Sequence, residues 1–577
     1  MARPALDGAD PPPEVRTFMS ETIEITFEGR TISAQSGESL AAALTANGIL
    51  SLRTTRCNAE RGIFCGMGVC QDCLVEVDGR PAQRACMTIV DRPLAVRREA
   101  HARPLPPPTG GIIADTEVEH PEVLVLGAGP GGLAAAIAAR RAGAAVTLVD
   151  ERAKPGGQYF KQLSVSGGAG PDRQHAEGRA LIEEARRIGV DLRSGVLVWG
   201  AFQGSGFAAV ADGRSLRFVP KATIIAAGAY ERPWPVPGWT LPGVMTTGAA
   251  QTLWRMARRL PGRRVLIAGN GPLNLQLAAE LLEGGAEVIA VVESAPRPSV
   301  GRIGALLTML GAAPGLFADG LRYHRQRRGG GAEMIHGQVI KSITRGDSDL
   351  MVELAPSRMG DPIVRKLTVD VVCLGYGFEP SNELLRLLGC GHDYDTQRRH
   401  LVTRRDADGR TDVPGIFALG DCTGLGGARV ALAEGTIAGC AAAADLGHAL
   451  DSGLVAQRDC VRADRARHLR FQKALWSLYA APPHSARLVT PETVICRCEE
   501  VTFAEIAAAL ADEIKSAGAV KRRTRLGMGR CQGRYCTPVL ENLLAERCGR
   551  ERGEFTGFAP RVPVKPLPIG ALIQRPD

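Results

Sequence analysis

Aromatic residues are scarce in this chain, and long apolar runs are absent from it. Phe, Trp and Tyr make up 5% of its 577 residues, whereas glycine alone contributes 69. That balance favours Gly-rich turns over aromatic-filled sandwiches or base-stacking platforms. No run of about 18 uncharged apolar residues occurs, so no transmembrane segment is expected. Residues 1–16 contain no apolar signal core, which predicts a cytoplasmic protein that reaches the inner membrane, if at all, only through a partner.

Length and charge set the next limits. The chain is long enough for about three to five domains of about 150 residues each. Hydrophobic residues make up 45% of it and charged residues 23%, so it buries large cores and is not disordered overall. The formal net charge of +9 is modest for this size, and it predicts no nucleic-acid partner.

Cysteine is missing from the long stretch between Cys86 and Cys373, although the chain has fifteen cysteines in all. Five of them lie between Cys57 and Cys86, and four lie between Cys496 and Cys536. In a reducing compartment, clustered cysteines are metal ligands more often than disulfide partners. The distribution predicts a Cys-poor body flanked by two compact metal-binding modules.

Composition shifts and a repeated βαβ pattern divide the chain further. Two βαβ openings about 140 residues apart imply two nucleotide-binding halves, the second inserted in the first. The predicted segments are a flexible tail (1–19), an N-terminal Cys-rich module (20–98), a Pro-rich linker (99–120), the first nucleotide-binding domain (121–245 and 371–450), the second nucleotide-binding domain (246–370), a connecting segment (451–488), a C-terminal Cys-rich module (489–550) and an irregular tail (551–577).

The first nucleotide site is a Gly-rich turn between a buried strand and an Ala-rich helix. Its sequence, Gly127-Ala128-Gly129-Pro130-Gly131-Gly132, matches G-x-G-x-x-G. Gly127 permits the tight turn, Gly129 lets backbone approach a pyrophosphate, and Gly132 lets helix and strand pack closely. The helix N-terminus supplies free N–H groups for the phosphates. Asp150 ends the next strand, where a ribose-binding carboxylate is expected, and Glu151 is the neighbouring alternative.

Two segments farther along resemble the accessory motifs of two-dinucleotide-binding-domain flavoproteins. They are TIIAAGAYERP (223–233), which contains Gly228, and IFALGDCTGLGG (416–427), which contains Gly420 and Asp421. The resemblance implies FAD at the first site, with the Asp421 carboxylate near the ribityl chain. We assign Gly157 and Gln158 of GGQYFKQL (156–163) to the same site. This segment has no cysteine, so the dithiol that disulfide reductases of this architecture carry beside the flavin is missing.

The second nucleotide site departs from the pattern. Gly269 and Gly271 are present, but Asn274 replaces the third glycine and needs more room where helix meets strand. Glu293 ends the next strand, as a ligand for the 2′-hydroxyl of NAD would. Two interpretations stay open: a site for NAD or another adenine nucleotide, or an inherited domain that no longer exchanges nicotinamide.

The N-terminal cysteines have the spacing of a plant-type ferredoxin. Cys65, Cys70 and Cys73 follow C-x4-C-x2-C, and Cys86 supplies a remote fourth thiolate. Zinc also accepts four thiolates, but paired C-x2-C knuckles are more usual for it. The spacing therefore predicts a [2Fe–2S] cluster, and it leaves Cys57 as a spare thiol.

The C-terminal cysteines form a different arrangement, in which Cys496 and Cys498 are followed by Cys531 and Cys536. A pair separated by one residue does not easily form a zinc knuckle, yet its side chains can bracket one iron. A second [2Fe–2S] cluster is predicted here, and the basic run at 521–530 favours retention of its negative charge.

The order of these segments resembles a known group of oxidoreductases. RGIFCGMGVCQDCLVEVDGRPAQRACM (61–87) resembles the small ferredoxin-like subunit of hydrogen cyanide synthase and opine oxidases, and the start of sarcosine oxidase alpha subunits. GAYERPWPVPGWTLPGVMTTGAAQ and CLGYGFEPS resemble the larger FAD subunit of that group, which also includes hydroxyproline dehydrogenase. CRCEE and GMGRCQGRYC resemble its bacterioferritin-associated-ferredoxin type module. Here the two pieces are fused in one chain.

The resemblance implies an α/β fold: a two-dinucleotide-binding-domain flavoprotein with an inserted Rossmann-like domain, an N-terminal β-grasp ferredoxin-like module and a small helical C-terminal module. It also implies a FAD and iron–sulfur oxidoreductase for CH–NH or CH–NH2 donors that acts as the electron-transfer alpha-type subunit of a hetero-oligomer. The implied partners are an amino-acid-oxidase-like flavoprotein and a downstream acceptor, which is quinone, ferredoxin or oxygen.

Two alternatives stay open at this point. One is a self-contained, NAD(P)H-dependent enzyme similar to ferredoxin reductases, and the other is a non-enzymatic redox-sensing partner protein. No catalytic residue is identified from the sequence, because an amine-oxidising flavin site needs no general base with a sequence signature.

Overall fold

The computed structural model describes residues 21–99, 116–164, 172–204, 206–358, 365–483, 486–511, 514–549 and 551–569. The predicted tail at 1–19 and most of the Pro-rich linker lie outside these ranges. Within them, no helix combines the length and apolar character needed to cross a membrane.

The N-terminal module is a five-stranded sheet with one helix packed on it, as in a β-grasp fold. Ile23, Ile25 and Phe27 alternate with exposed or half-buried residues and bury one face of the first strand. Helix Leu40–Ala46 covers that face and begins where the Ser39 hydroxyl accepts a hydrogen bond from the N–H of Ala42. The strands, in sheet order, are Arg30–Gln35, Thr22–Phe27, Ala95–Arg98, Leu74–Val77 and Arg80–Arg84.

The first nucleotide-binding domain is built on a five-stranded parallel sheet. Its central strand, Val123–Leu126, is fully buried, as expected for a strand covered on both faces. The sheet order is Asp191–Ser194, Val146–Asp150, Val123–Leu126, Ala222–Ile225 and Ile416–Ala418. A second sheet contains Leu197–Phe202, Gly206–Ala211, Arg214–Phe218 and Glu117–Glu119. Helices Pro130–Arg141, Arg173–Arg187 and Ala428–Asp445 complete the domain.

Two helices of this domain, Pro130–Arg141 and Ala428–Asp445, cross at very short range. A Cβ atom at Gly435 would lie 2.2 Å from the carbonyl oxygen of Gly131, and one at Gly439 would lie 2.3 Å from that of Ala135. The Gly/Ala composition of both helices therefore serves this contact, which joins the two separate stretches of the domain.

The second nucleotide-binding domain has its own five-stranded parallel sheet and a three-stranded antiparallel sheet. The parallel strands, in order, are Val244–Thr246, Val371–Gly375, Arg264–Gly269, Glu287–Glu293 and Glu333–His336. The antiparallel strands are Gln338–Arg345, Leu350–Pro356 and Arg365–Val369. The helices are Thr247–Ala257, Pro272–Glu283, Ile303–Ala312 and Pro314–Gly329.

The boundaries of this domain differ slightly from those predicted. Because strand Val371–Gly375 pairs with Val244–Thr246 and Arg264–Gly269, the domain extends to residue 375 rather than ending at 370. The chain returns to the first domain through strand Phe378–Pro380, which pairs with Ala229–Glu231. Helix Glu383–Leu387 and the hairpin of His392–Asp395 and His400–Thr403 follow.

The C-terminal part begins with a long helix, Ser452–Leu478. The following module is small and mainly helical, as predicted, with a hairpin of Val494–Cys496 and Val501–Thr502 and helices Phe503–Ala511, Ala517–Thr524 and Thr537–Cys548. Residues 551–569 of the tail are irregular but packed. Val564 is buried and its N–H donates to the carbonyl of Trp199 at 2.8 Å, which ties the tail to the first nucleotide-binding domain.

Candidate functional site

The predicted FAD turn is shaped by three glycines with different surroundings. A Cβ at Gly127, where φ is +105°, would lie 2.5 Å from the carbonyl oxygen of Ala226. A Cβ at Gly132 would lie 1.8 Å from the carbonyl oxygen of Gly127. Beside Gly129, by contrast, the nearest atom is the Cα of Gly157, 3.9 Å from the Cβ position. Packing thus requires Gly127 and Gly132, whereas a Cβ at Gly129 would make only an ordinary van der Waals contact, so its glycine is consistent with close approach of a pyrophosphate.

The loop at 156–158 closes on this turn from the opposite side. Gly157 has a φ of +64°, and a Cβ there would lie 2.7 Å from the Cα of Gly129. Gln158 follows in the same loop and is half-buried. Gly157 therefore packs against the Gly-rich turn, and the assignment of Gly157 and Gln158 to the FAD site stays a prediction.

The two acidic residues proposed for the ribose already have partners within the chain. Asp150 accepts hydrogen bonds from the N–H groups of Ala128 at 2.7 Å and Arg152 at 2.8 Å. Burial raises the pKa of Asp150 above its usual value. Glu151 forms an ion pair with Lys565 of the C-terminal tail. Asp150 thus holds the shape of the turn, and the choice of a ribose ligand between Asp150 and Glu151 stays a prediction.

The accessory motifs lie at the same edge of the sheet. Gly228, with a φ of +72°, has no atom within 4 Å of its Cβ position. One oxygen of Asp421 accepts hydrogen bonds from the N–H groups of Gly426 and Gly427 at 2.9 and 2.8 Å. The N–H of Gly420 donates to Glu434 at 2.9 Å. These contacts orient the Asp421 carboxylate just before helix Ala428–Asp445, and the open space beside Gly228 fits a dinucleotide.

At the second nucleotide site, the asparagine that replaces the third glycine is accommodated. Asn274 is 1% exposed; it donates to the carbonyl of Gly375 at 3.1 Å and accepts from Thr247 at 3.0 Å. A Cβ at Gly375 would lie 2.1 Å from the Asn274 side-chain oxygen. The additional room that Asn274 needs is therefore provided by a glycine about a hundred residues away, on the neighbouring strand.

Glu293 is turned inward at this site rather than toward a ligand. It is 3% exposed, and it accepts hydrogen bonds from the Asn270 side chain at 2.7 Å and from the N–H groups of Gly271 and Ala295 at 3.0 and 2.8 Å. Burial raises the pKa of Glu293 to about 7. The Glu293 carboxylate thus accepts hydrogen bonds from the residues around it within the protein.

The end of the long helix covers the same turn. The Trp476 ring lies 3.8 Å from the Cβ position of Gly271. The carbonyl of Tyr479 accepts a hydrogen bond from Asn270 at 2.9 Å. The connecting segment therefore occupies the approach to Gly269 and Gly271.

The four N-terminal cysteines converge on one loop region. Cys65, Cys70 and Cys73 are buried, and Cys86 is half-buried. The Sγ atom of Cys65 accepts from the N–H groups of Met67 at 3.5 Å and Cys70 at 3.4 Å. Burial acts to raise the pKa of Cys65, but its hydrogen bonds from Cys70 and from backbone N–H groups outweigh this and lower it to about 6. The loop thus favours a thiolate at Cys65.

The four C-terminal cysteines also converge. Cys496, Cys531 and Cys536 are buried, and Cys498 is half-buried. Gly529 has no room for a side chain, because a Cβ there would lie 2.3 Å from the Cβ of Cys498. The thiol of Cys536 lowers the pKa of Cys496 to about 7.

At both sites the cysteines form two pairs. The pKa shifts at these sites follow the same pairing, since in each pair one thiol perturbs the other: Cys65 with Cys70, Cys73 with Cys86, Cys496 with Cys536, and Cys498 with Cys531. Across the ranges that the structure describes, no three His, Cys, Asp or Glu side chains are grouped to hold one metal ion. Two irons with two thiolates each require such pairs, so the donor sets fit [2Fe–2S] clusters better than a tetrahedral zinc ion.

The two cysteine sites contact each other directly, which the sequence did not predict. Asp72 lies between Cys70 and Cys73, and Arg497 lies between Cys496 and Cys498. Arg497 donates to Asp72 at 2.6 Å, and the Sγ of Cys498 lies 4.0 Å from the carbonyl oxygen of Cys70. Both members of this ion pair lie inside ligand motifs, but neither motif indicates that its residue pairs with a residue of the other motif.

Further contacts fix this arrangement. Arg497 donates to the carbonyl of Trp239 at 2.8 Å, and its guanidinium lies 3.7 Å from the centre of the Phe64 ring. A reciprocal ion pair joins Arg61 of the N-terminal module to Glu500 of the C-terminal module at 3.2 Å. Burial acts to raise the pKa of Asp72, but the surrounding guanidinium groups, Arg497 foremost, hold it below its usual value.

The N-terminal cysteine loop also touches both nucleotide-binding domains. The guanidinium of Arg152, next to Glu151, donates to the carbonyl of Gly66 at 3.1 Å. The N–H of Thr246 donates to the carbonyl of Phe64 at 2.8 Å. One contiguous region of the protein therefore contains the predicted FAD turn and both cysteine sites.

The close approach expected at Gly129 yields a first prediction. Gly129→Val places a branched side chain where the pyrophosphate passes, so the purified variant should lose most of its flavin absorbance. Gly311→Ala, in a helix with no atom within 4 Å of the Cβ position, is the control and should keep full flavin content. Equal flavin in wild type and the Gly129 variant would contradict the assignment.

The paired cysteines yield a second prediction. The chain should contain about four irons and four acid-labile sulfides. Cys70→Ala and Cys531→Ala should each remove half of the iron, because three cysteines leave an iron coordination position open. Cys57→Ala is the matched control, since Cys57 is exposed and lies outside the four pairs. Zinc in place of iron, or iron without sulfide, would refute the assignment.

Comparisons with known proteins agree with this geometry. Residues 121–435 match the pyridine nucleotide-disulphide oxidoreductase family. Residues 20–101 match a 2Fe-2S iron-sulfur cluster binding domain, and residues 494–546 match a BFD-like [2Fe-2S] binding domain. The predicted FAD-type domain and the two [2Fe–2S] modules are thereby confirmed.

Similar proteins extend over most of the chain. An opine oxidase subunit of Agrobacterium tumefaciens is 33% identical over 477 residues, which are 79% of this chain and 92% of that protein. Hydrogen cyanide synthase subunit HcnB of Pseudomonas aeruginosa is 30% identical over 78% of this chain and 97% of its own length. The crystal structure of L-proline dehydrogenase from P. horikoshii shares the fold, with a TM-score of 0.71 at 19% identity over 97% of this chain and 99% of that chain. The chain therefore belongs to the family of these opine oxidase and hydrogen cyanide synthase subunits, and it is a FAD and iron–sulfur oxidoreductase.

Proposed function

We propose that this chain is the electron-transfer alpha-type subunit of a heteromeric dehydrogenase or oxidase that acts on amino acids or opines. The observation that carries the proposal is the contiguity of its redox sites. Arg152 joins the Cys65 loop to the FAD-binding domain, and Cys70 meets Cys498 at the second cysteine site. The similarity to subunits of opine oxidase and hydrogen cyanide synthase supports the same role.

In this proposal some residues of the chain bind the cofactors, and others orient the binding groups. When bound, a flavin accepts two electrons together and releases them singly, whereas a [2Fe–2S] cluster carries one. Gly129 and the N-terminus of helix Pro130–Arg141 would accommodate the pyrophosphate, and Asp421 would bind the ribityl chain. The eight paired cysteines hold the irons, and the backbone N–H groups of Met67 and Cys70 stabilise the charge on sulfur.

The amine itself is oxidised on another polypeptide in this proposal. The partner is an amino-acid-oxidase-like flavoprotein subunit that oxidises the amine and delivers its electrons to this chain. The final acceptor is a quinone, a ferredoxin or oxygen. Amine oxidation gives up two electrons together, whereas each [2Fe–2S] cluster carries one. A flavin beside two clusters would connect the two kinds of transfer, which favours a chain that accepts electron pairs and releases single electrons.

The second nucleotide-binding domain, in the same proposal, does not exchange nicotinamide. Glu293 is engaged by three donors of its own turn. Trp476 and Tyr479 lie over that turn. This arrangement favours a structural domain, or one that retains an adenine nucleotide, over the self-contained NAD(P)H-dependent reductase.

A first test concerns the missing active site. The isolated chain, with flavin and iron verified, should show little dye-linked dehydrogenase activity toward proline, glycine, sarcosine or opines. Co-expression with an amino-acid-oxidase-like protein encoded beside it should restore activity. The matched control expresses that partner with the Cys70→Ala variant, which should be impaired in turnover. Robust amino-acid turnover by this chain alone would place the catalytic site here and overturn the proposal.

A second test concerns the nicotinamide. Anaerobic addition of NADH or NADPH should leave the flavin absorbance of the purified chain unchanged, since the second Gly-rich turn is covered. Dithionite added to the same sample should bleach it fully, which verifies that the flavin is reducible. Rapid bleaching by either nicotinamide would favour the self-contained reductase instead.

A further inference from the structure

The place where the two cysteine modules meet contains an ion pair that has no role in holding iron. Asp72 lies within the C-x2-C of one site and Arg497 within the C-x-C of the other. Their side chains are 0% and 3% exposed, and the Arg497 Nε atom lies 2.6 Å from the Asp72 carboxylate. Each partner is flanked by ligand cysteines, so a contact between them also brings the ligands together.

The backbone and thiols around this pair show how close the two sites come. The Sγ of Cys498 lies 4.0 Å from the carbonyl oxygen of Cys70. Cys70 and Cys498 are each ligands of a different predicted cluster. The sulfur of one ligand residue therefore lies against the backbone of the other, and no third residue separates them at this point.

The geometry of Arg497 is fixed from several directions. Its guanidinium donates to the carbonyl of Trp239 and lies over the Phe64 ring. Asp72 is held in turn by Arg53, which donates to its other oxygen at 2.9 Å. A planar guanidinium held in this way by a carboxylate, a carbonyl and a ring sets one orientation for the loop that contains it.

We propose that the Asp72–Arg497 pair locks the two cysteine loops into one direct electron-transfer contact, so that the two clusters they hold act as an adjacent, magnetically coupled pair. In the step between them one electron moves: one cluster is oxidised by one electron and the other is reduced by one. No bond forms or breaks and no proton moves. Asp72 and Arg497 are positioning residues in this step, since they act through Cys70 and Cys498.

This inference goes beyond the proposed function and does not rest on it. A chemical reductant such as dithionite supplies the electrons in the test, whether or not an amino acid is their source in the protein's own reaction. The inference therefore stands or fails independently of the partner protein and of the amine substrate.

The first experiment uses the full-length wild-type chain with four irons verified. The protein is reduced with dithionite until both clusters are paramagnetic, and electron paramagnetic resonance spectra are recorded at two microwave frequencies. An adjacent pair gives a splitting that is constant in magnetic field units between the two frequencies. If the spectrum equals the sum of those from Cys70→Ala and Cys531→Ala, each with one remaining cluster, the two clusters are not adjacent and the proposal is overturned.

The second experiment tests the ion pair itself. Asp72→Asn removes the charge with little change in shape, and Arg497→Gln removes the charge together with the guanidinium; both should reduce or abolish the splitting while the iron content stays at four. Glu38→Gln is the matched control: Glu38 is 0% exposed and pairs with Arg259 at 2.8 Å, joining the same module to the body away from the cysteine loops. It should keep the wild-type splitting.

The outcomes separate cleanly. Loss of the splitting in both charge variants, with Glu38→Gln unaffected, supports the positioning role. An unchanged splitting in both charge variants would show that the Asp72–Arg497 pair does not set the contact. Loss in the Glu38 variant as well would show that general docking of the module, and not this pair, holds the clusters together. If a charge variant loses iron, Arg497→Lys, which keeps the positive charge, is measured in its place. A wild-type splitting in iron-complete Arg497→Lys supports the positioning role, and loss of the splitting in that protein opposes it.

Discussion

The buried ion pair between Asp72 and Arg497 constrains how the rest of the chain is arranged. Removing two charges from water is costly, and the cost is offset only where further polar partners are present. Here Arg53, the carbonyl of Trp239 and the Phe64 ring supply them. Because the two residues lie 425 positions apart, both ends of the chain must return to one face of the body. The entropy of closing so long a loop grows slowly, by about 0.6 kcal/mol for each doubling of length.

The body supplies the surface against which that contact forms. The indole N–H of Trp239 donates to the carbonyl of Val494 at 2.7 Å, which holds the C-terminal hairpin. The N–H of Thr246 and the guanidinium of Arg152 hold the N-terminal loop at Phe64 and Gly66. The same short region between the two nucleotide-binding domains therefore orients both modules. A change in how those domains meet would move the two cysteine sites relative to each other and to the FAD turn.

Local chemistry was readable from the sequence because it repeats at fixed spacing. The glycines at 127, 129 and 132 and the eight cysteines follow patterns that geometry alone imposes, and the structure brings each set together. The motif alone indicates that Asn274 needs more room than a glycine, whereas that room is provided by Gly375 on another strand. Glu293 ends its strand as expected, but its orientation depends on the donors around it. The Asp72–Arg497 contact depends on how distant modules dock, and spacing within a motif holds no information about that.

Tethering adds to the hydrophobic packing that holds the modules against the body. The N-terminal module is similar to subunit HcnA of hydrogen cyanide synthase, which is a chain apart from HcnB. Docking between separate chains in general depends on their concentration. Within one chain, docking becomes intramolecular, with an effective concentration set by the linker rather than by expression. The interface then needs only enough affinity to fix orientation, and the ion pairs Asp72–Arg497 and Arg61–Glu500 are suited to that, since charge pairs give more specificity than net stability. Fusion and the buried ion pairs thus have complementary effects. The covalent linker keeps the N-terminal module near the body, and the two ion pairs fix the orientation of the N-terminal cysteine loop relative to the C-terminal one.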